Sequence, residues 1–412
     1  MRIRPILTIA GICAVACGGC LDSSPYEGEK TAKVVPTGYL WEEGTKPTPF
    51  WGGESNVTRE DGRVQLLSES RTIKSIYKSM TGPSEIRRFN VVETEQPELV
   101  WLTGYTAVMV ESDGSTPADQ QFMCHSNLDY DIFFAPTEKH NEVFSSHRSH
   151  SKRLFTLSQG QLEITFPEGF GIPVISSDAM SLSTQVLNLN DGHIGKQVRH
   201  QIKVHFVCDR ELEQPYRPLF QISANGLVSL EDKELVYNME ETEETEETDG
   251  APCMSCCIPG DNAGNHVYTD KFGKHFSGHW IVPPGRHEYR TLVTDLMMVP
   301  FDTTVHYIAV HLHPFAEELE LRDLTAGKTL FKANAINSRN KIGLEHVDHY
   351  SSVEGFPVYT SHQYELVSTY HNTTTVDQDS MAVIYIYLLD QEFKRKGDSI
   401  AAKDARRKAS SG

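Results

Sequence analysis

What most limits the fold of this chain is a recurrence of short apolar runs broken by turn residues. "RLFTLSQGQLEITF", "STQVLNLN", "HQIKVHFVCD", "YRTLVTDLMMV", "VHYIAVHLH", "ELELRDLTAGKTLFKA", "HQYELVSTYH" and "MAVIYIYLL" follow one another between residues 153 and 389. In "KVHFV" and "ELELRDL" apolar and polar residues alternate, the period of a half-buried strand, and Thr325-Ala326-Gly327-Lys328 reads as a hairpin turn. No long amphipathic helix interrupts the series before the tail. Many short strands with frequent turns predict an all-β chain built from antiparallel sandwiches or barrels.

With 412 residues the chain can build two or three domains with proper cores. A composition break over residues 226–275, acidic and then Cys-rich, divides an N-terminal β-domain (41–225) from a C-terminal one (276–392). "EETEETEETD", Glu240 to Asp249, repels itself and buries nothing, so it reads as a solvated loop. Residues 393–412 form a charged tail expected to fray. The formal net charge of −18 makes nucleic acid and anionic lipid surfaces poor partners, and a monomer is expected.

The first twenty residues, "MRIRPILTIAGICAVACGGC", carry two arginines, an apolar stretch from Ile6 to Ala16, then small residues and cysteine. The stretch is too short to span a bilayer and reads as a signal peptide. Small residues before a cysteine resemble a bacterial lipobox, with Cys17 the first choice for lipidation and Cys20 the second. Neither cysteine has the usual leucine three positions before it, and a plain secretory signal is the alternative. Residues 21–40 would then tether an exported lipoprotein that meets its membrane only through the lipid.

Residues 305–315, "VHYIAVHLHPF", set His311 and His313 two apart in a strand-like run. Side chains two apart on a strand share a face, so the two imidazoles can act together as metal ligands. Met381, opening "MAVIYIYLL", is a candidate third ligand. Two imidazoles and a thioether make a soft set that favours Cu(I). The competing reading is a pair of hydrogen-bonded histidines on a polar sheet face and a methionine that fills a core.

"WIVPPG" (280–285), "VHYIAVHLH" and "YELVSTYHNTTTVDQDSMAVIYIYL" together resemble the second domain of the copper type II, ascorbate-dependent monooxygenases. This is the family of peptidylglycine α-hydroxylating monooxygenase and dopamine β-monooxygenase. The resemblance implies two antiparallel jelly-roll domains in tandem and one copper held by His311, His313 and Met381. It also implies hydroxylation of a small organic substrate by dioxygen, with an external reductant such as ascorbate. Tyr385 matches a substrate-facing tyrosine. Ala309 stands where the peptide-amidating member has an arginine, so capture of a peptide carboxylate is not expected. Ala382 and Thr369 stand where the family has a disulfide.

"FPEGFGIPV" (166–174) resembles a segment of the family's first domain. Of the three histidines that hold the family's electron-storing copper, the adjacent pair matches Cys124-His125 and the later one is replaced by Asn188. A degenerate second site is therefore expected. "CMSCC" places Cys253, Cys256 and Cys257 together, with His266, His275 and His279 downstream. In an oxidising compartment these thiols read as a disulfide-stapled loop, with Cys208 or Cys124 as outside partners, or as a soft-metal loop. The alternatives to an enzyme are a non-catalytic copper-binding protein and a β-sandwich binding module with a vestigial metal site.

Overall fold

The computed structural model describes residues 33–34, 40–41, 56–131, 143–145, 152–232 and 267–395. Cys17, Cys20, Cys253, Cys256, Cys257, the acidic repeat and residues 396–412 of the tail lie outside the described residues. Two compact units are present, 1–49 and 50–412. Of the first, only the antiparallel pair Lys33–Val34 with Leu40–Trp41 is described, and the account below concerns the second.

The described chain is almost entirely β-strand, as the alternation predicts. An eleven-stranded sheet forms its spine. The path runs Tyr350–Val358, Thr303–Leu312, Ala382–Leu389, Arg217–Asn225, Phe170–Ile175, Leu99–Glu111, Gln197–Cys208, Arg63–Leu67, Val57–Glu60, with Glu163–Thr165 and Arg71–Thr72 alongside. A four-stranded sheet contains Arg153–Ser158, Met123–Tyr130, Ala179–Val186 and Ser84–Asn90. A five-stranded sheet contains Gly285–Leu292, Tyr364–Asn372, Ala316–Asp323, Lys328–Asn337 and Leu344–Val347. The expected turn joins Ala316–Asp323 to Lys328–Asn337, with Gly327 in the left-handed region at φ 64°. Along "ELELR" Leu319 and Leu321 are buried and Glu318, Glu320 and Arg322 half-buried, as a sheet with one covered face requires.

Two apolar cores stabilise this arrangement by removing large side chains from water. The first gathers Tyr105, Phe122, Phe155, Leu128, Leu182 and Ile202. The second gathers Trp280, Leu319, Leu321, Tyr370, Ile308 and Ile384. Strand Arg217–Asn225, placed in the N-terminal half by the sequence, is the junction. It pairs antiparallel with Ala382–Leu389 and, through Arg217 and Pro218, parallel with Phe170 and Gly171. Its Phe220, Ile222 and Ala224 belong to the second core.

Strand Thr303–Leu312 is buried on both faces, and this sets the orientation of everything described next. Ile308, Val310 and Leu312 belong to the second core, while Tyr307 and Ala309 belong to the first. Val305, before the register shift between Val305 and Tyr307, still belongs to the second core. The bulge reverses which parity faces which core. Downstream of it, odd-numbered residues turn toward the first half.

Candidate metal centre

His311 sits opposite Val383 and Leu312 opposite Ala382 in the antiparallel ladder. His313 directly follows Leu312 and Met381 directly precedes Ala382, so the two residues stand at the same end of this ladder. Side chains two apart on a strand share a face, and His311 and His313 both line a hollow that Met123, Cys124 and Leu187 of the first half also line. Met381 also stands where two ladders meet. Trp280 pairs with Ser380 and Ile281 with Asp379, which brings His279 alongside Met381 from the other direction.

The three side chains are buried, with 7%, 8% and 4% of their surface exposed for His311, His313 and Met381. The rings of His311 and His313 lie 5.3 Å apart at 72°. Buried Nδ1 of His311 has no hydrogen-bond partner. Burial first, then the neighbouring His313, His125 and Arg153, holds His311 well below the ordinary histidine range. It is therefore neutral at physiological pH, with a lone pair to offer. His313 has Nδ1 3.3 Å from Asp379 Oδ2 and Nε2 3.5 Å from Ser79 Oγ. The first approach lacks hydrogen-bond alignment, since Asp379 Oδ2 otherwise has no partner, so it is an electrostatic contact rather than a formed bond. Tyr370 donates its hydroxyl to the Met381 carbonyl at 2.7 Å. The Met381 side chain, although buried, belongs to none of the three hydrophobic clusters.

His279 was singled out in the sequence only as a residue downstream of the Cys-rich loop. It is 2% exposed and its ring lies 5.5 Å from that of His313. The only advance signal was its place directly before "WIVPPG". Asp379, two residues before Met381, was not singled out at all.

A cavity of about 20 Å³ adjoins the pair, lined by His311 and His313 from the second half and by Met123, Cys124 and Leu187 from the first, with Ile342 beside them. That is room for about one water-sized group. Among the described residues no three His, Cys, Asp or Glu side chains are grouped so as to hold a metal ion. Two imidazoles joined by a thioether would make a donor set that fits soft Cu(I) rather than magnesium or calcium.

The remaining candidates are placed as follows. Cys124 lines the cavity, whereas His125, 2% exposed, lies outside its lining. His125 pairs with Ser158 and Gln185 in the four-stranded sheet. Asn188 is fully buried and donates to the Ser75 carbonyl at 2.9 Å, a structural tie. Cys124 and Cys208 are both free thiols among the described residues, the loop cysteines lie outside those residues, and burial pushes the Cys208 thiol up to about 11. Tyr385 pairs with Ala309 and Ser223 and packs half-buried against the first core.

The halves are joined around this cavity by directed bonds. Val310 N donates to Gln161 Oε1 at 2.9 Å, and Tyr387 donates its hydroxyl to the Leu154 carbonyl at 2.9 Å. Asn190 grips Ile342 twice, Nδ2 to the carbonyl and Oδ1 from the N–H, both at 2.9 Å. Lys341 pairs with Asp119 beside it.

No family model matches the chain, and no curated protein does. Among solved structures, one of PNGF-II is similar at 9% identity and a TM-score of 0.30, covering 80% of this chain and 66%, just under two thirds, of that one. The Sulfolobus Turreted Icosahedral Virus structure is similar at 9% identity and a TM-score of 0.21, covering 78% of this chain and 90% of that one.

Proposed function

We propose that His311, His313 and Met381 hold one copper ion in an exported, lipid-anchored oxidoreductase that resembles the ascorbate-dependent copper monooxygenases and their tandem jelly rolls. The observation that supports this reading is the pair of buried rings of His311 and His313, 5.3 Å apart, together with a buried His311 nitrogen that has no partner, with Met381 directly before the strand that pairs with theirs. A bound copper would supply dioxygen activation for hydroxylation of a C–H bond, with electrons from an external reductant such as ascorbate. The chain's own residues then divide the work. His311 offers a neutral imidazole, Asp379 draws the His313 ring by its charge, and Tyr370 holds the Met381 backbone. Ala309 offers no cation, so a peptide carboxylate is a poor substrate and a small organic molecule the better one.

A second reading, a non-catalytic copper-binding protein, is favoured by one specific observation. The cavity of about 20 Å³ has no room for an organic substrate beside the histidines. The replacement of the electron-storing histidines points the same way. Titration of the purified protein with Cu(I), alongside Met381→Ile, tests the metal site. We expect one copper per chain and an affinity about tenfold or more weaker in the variant, equivalent to roughly 1.4 kcal/mol. Unchanged affinity in Met381→Ile would overturn the site. Ascorbate-driven oxygen uptake by the loaded protein separates the enzyme from the binding protein.

A further inference from the structure

A second hollow, sharing no residue with the histidine cavity, opens on the second half with a volume of about 440 Å³. This lies within the range of pockets that take small organic ligands, about 300–1,000 Å³. His362 lines it, and its Nδ1 lies 2.7 Å from Asp323 Oδ2, a carboxylate on a residue only 2% exposed. Burial opposes the charge of Asp323, but bonds from His362 and from the Ala326 N–H more than offset this and hold it below the usual carboxylate range. An ionised carboxylate only accepts, so the bond holds a proton on Nδ1 and leaves Nε2 as the ring nitrogen that can bond whatever enters the hollow.

The surroundings are equally defined. Asp302 Oδ1 accepts from the Thr360 N–H at 2.8 Å and from its hydroxyl at 2.9 Å, fixing the turn in which His362 N donates to the Tyr359 carbonyl at 3.2 Å. The Tyr359 ring lies 4.6 Å from the His362 ring, and Tyr359 is 36% exposed. Tyr268 lines the hollow too, and Lys271 pairs with Asp295 at 2.9 Å among its lining residues. Met298, also lining it, has φ 40° as the left-handed cap that ends the short helix Thr294–Met297, its N–H donating to the Thr294 carbonyl.

Charge selects the ligand. The one lysine among the lining residues is paired with the one aspartate, and the carboxylates of Asp323 and Asp302 stand directly behind the lining, so an anion meets no net positive field. What remains are aromatic faces for flat C–H surfaces, a ring nitrogen to bond hydroxyls, a carboxylate to accept from them, and an ammonium to donate to them. We propose that this hollow binds a neutral saccharide, with one sugar ring against Tyr359 and a sugar hydroxyl bonded to His362 Nε2.

This inference is independent of the copper reading. The test is calorimetric titration of the full chain with neutral gluco-, manno- and chito-oligosaccharides. We expect one class to bind, and Tyr359→Ala and His362→Ala each to weaken it about tenfold, roughly 1.4 kcal/mol. Copper stoichiometry should stay unchanged in both variants. Because His362→Ala leaves Asp323 buried without its imidazole, the decisive variant is Tyr359→Ala, which removes an exposed ring and leaves the fold intact. Absence of binding by every class at millimolar concentration, or binding that survives Tyr359→Ala, would overturn the proposal.

Discussion

Acidification from pH 7 to pH 5 should destabilise the metal-free protein through a residue outside both sites, His200. It lies on Gln197–Cys208, is 1% exposed, and its Nε2 has no partner. Burial first, then the proximity of His125, pushes it down to about 3 against an ordinary 6.5, although a bond to the Gln185 backbone works the other way. The folded value is the depressed one, so between those two pH values the unfolded chain holds a proton that the folded chain refuses. Stability is full above 6.5 and falls as pH drops below it, by about 1.4 kcal/mol per unit. Integrated from pH 7 to pH 5, His200 alone contributes a loss of about 2 kcal/mol. His200→Gln keeps a donor for the Gln185 carbonyl and removes the titration. Urea unfolding at both pH values should show the wild type losing about 2 kcal/mol more than the variant. An equal loss in both proteins would refute the reasoning, since His311 and the other buried histidines are common to the two.

Three further outcomes follow from the packing. Tyr370→Phe removes the hydroxyl that holds the Met381 carbonyl and should cost about 1 kcal/mol in unfolding free energy. Its Cu(I) affinity, measured by competition with a chelator, should fall as well. Asn190→Ala removes both bonds to Ile342 and should cost roughly 2 kcal/mol. It should also speed reaction of Cys124 with a thiol reagent, because Ile342 lines the same cavity as that thiol. Gly82→Ala would place a Cβ 1.9 Å from the Val186 carbonyl oxygen, whereas Gly192→Ala would meet nothing within 4 Å. Thermal melts should show the first substitution costing about 3 kcal/mol or more and the second almost nothing.

Much of the architecture was legible along the chain. Val204, Leu319 and Leu321 alternate with polar neighbours because one face of each strand meets a core, and Gly327 marked a real turn. The pairing of His311 with His313 on one face needed only the two-residue repeat. Arg217–Asn225 was harder. It is absent from the runs that read as strands, and its attachment to Ala382–Leu389 rests on contacts more than a hundred residues away.

The amino-acid sequence by itself determined that this chain is built of strands, that His311 and His313 lie two apart on one of them, and that Met381 stands at the head of another, directly before Ala382–Leu389. Those are consequences of local sterics and of a period of two. Only the tertiary structure decided which way they point. The bulge after Val305 selects the parity, burial on both faces of Thr303–Leu312 erases the polar marks that would have revealed it, and Asp379, His279 and Cys124 join the histidines through pairings that no periodicity encodes. Registers between distant strands are settled by how two cores pack against one shared sheet, a property of the whole fold rather than of any stretch within it.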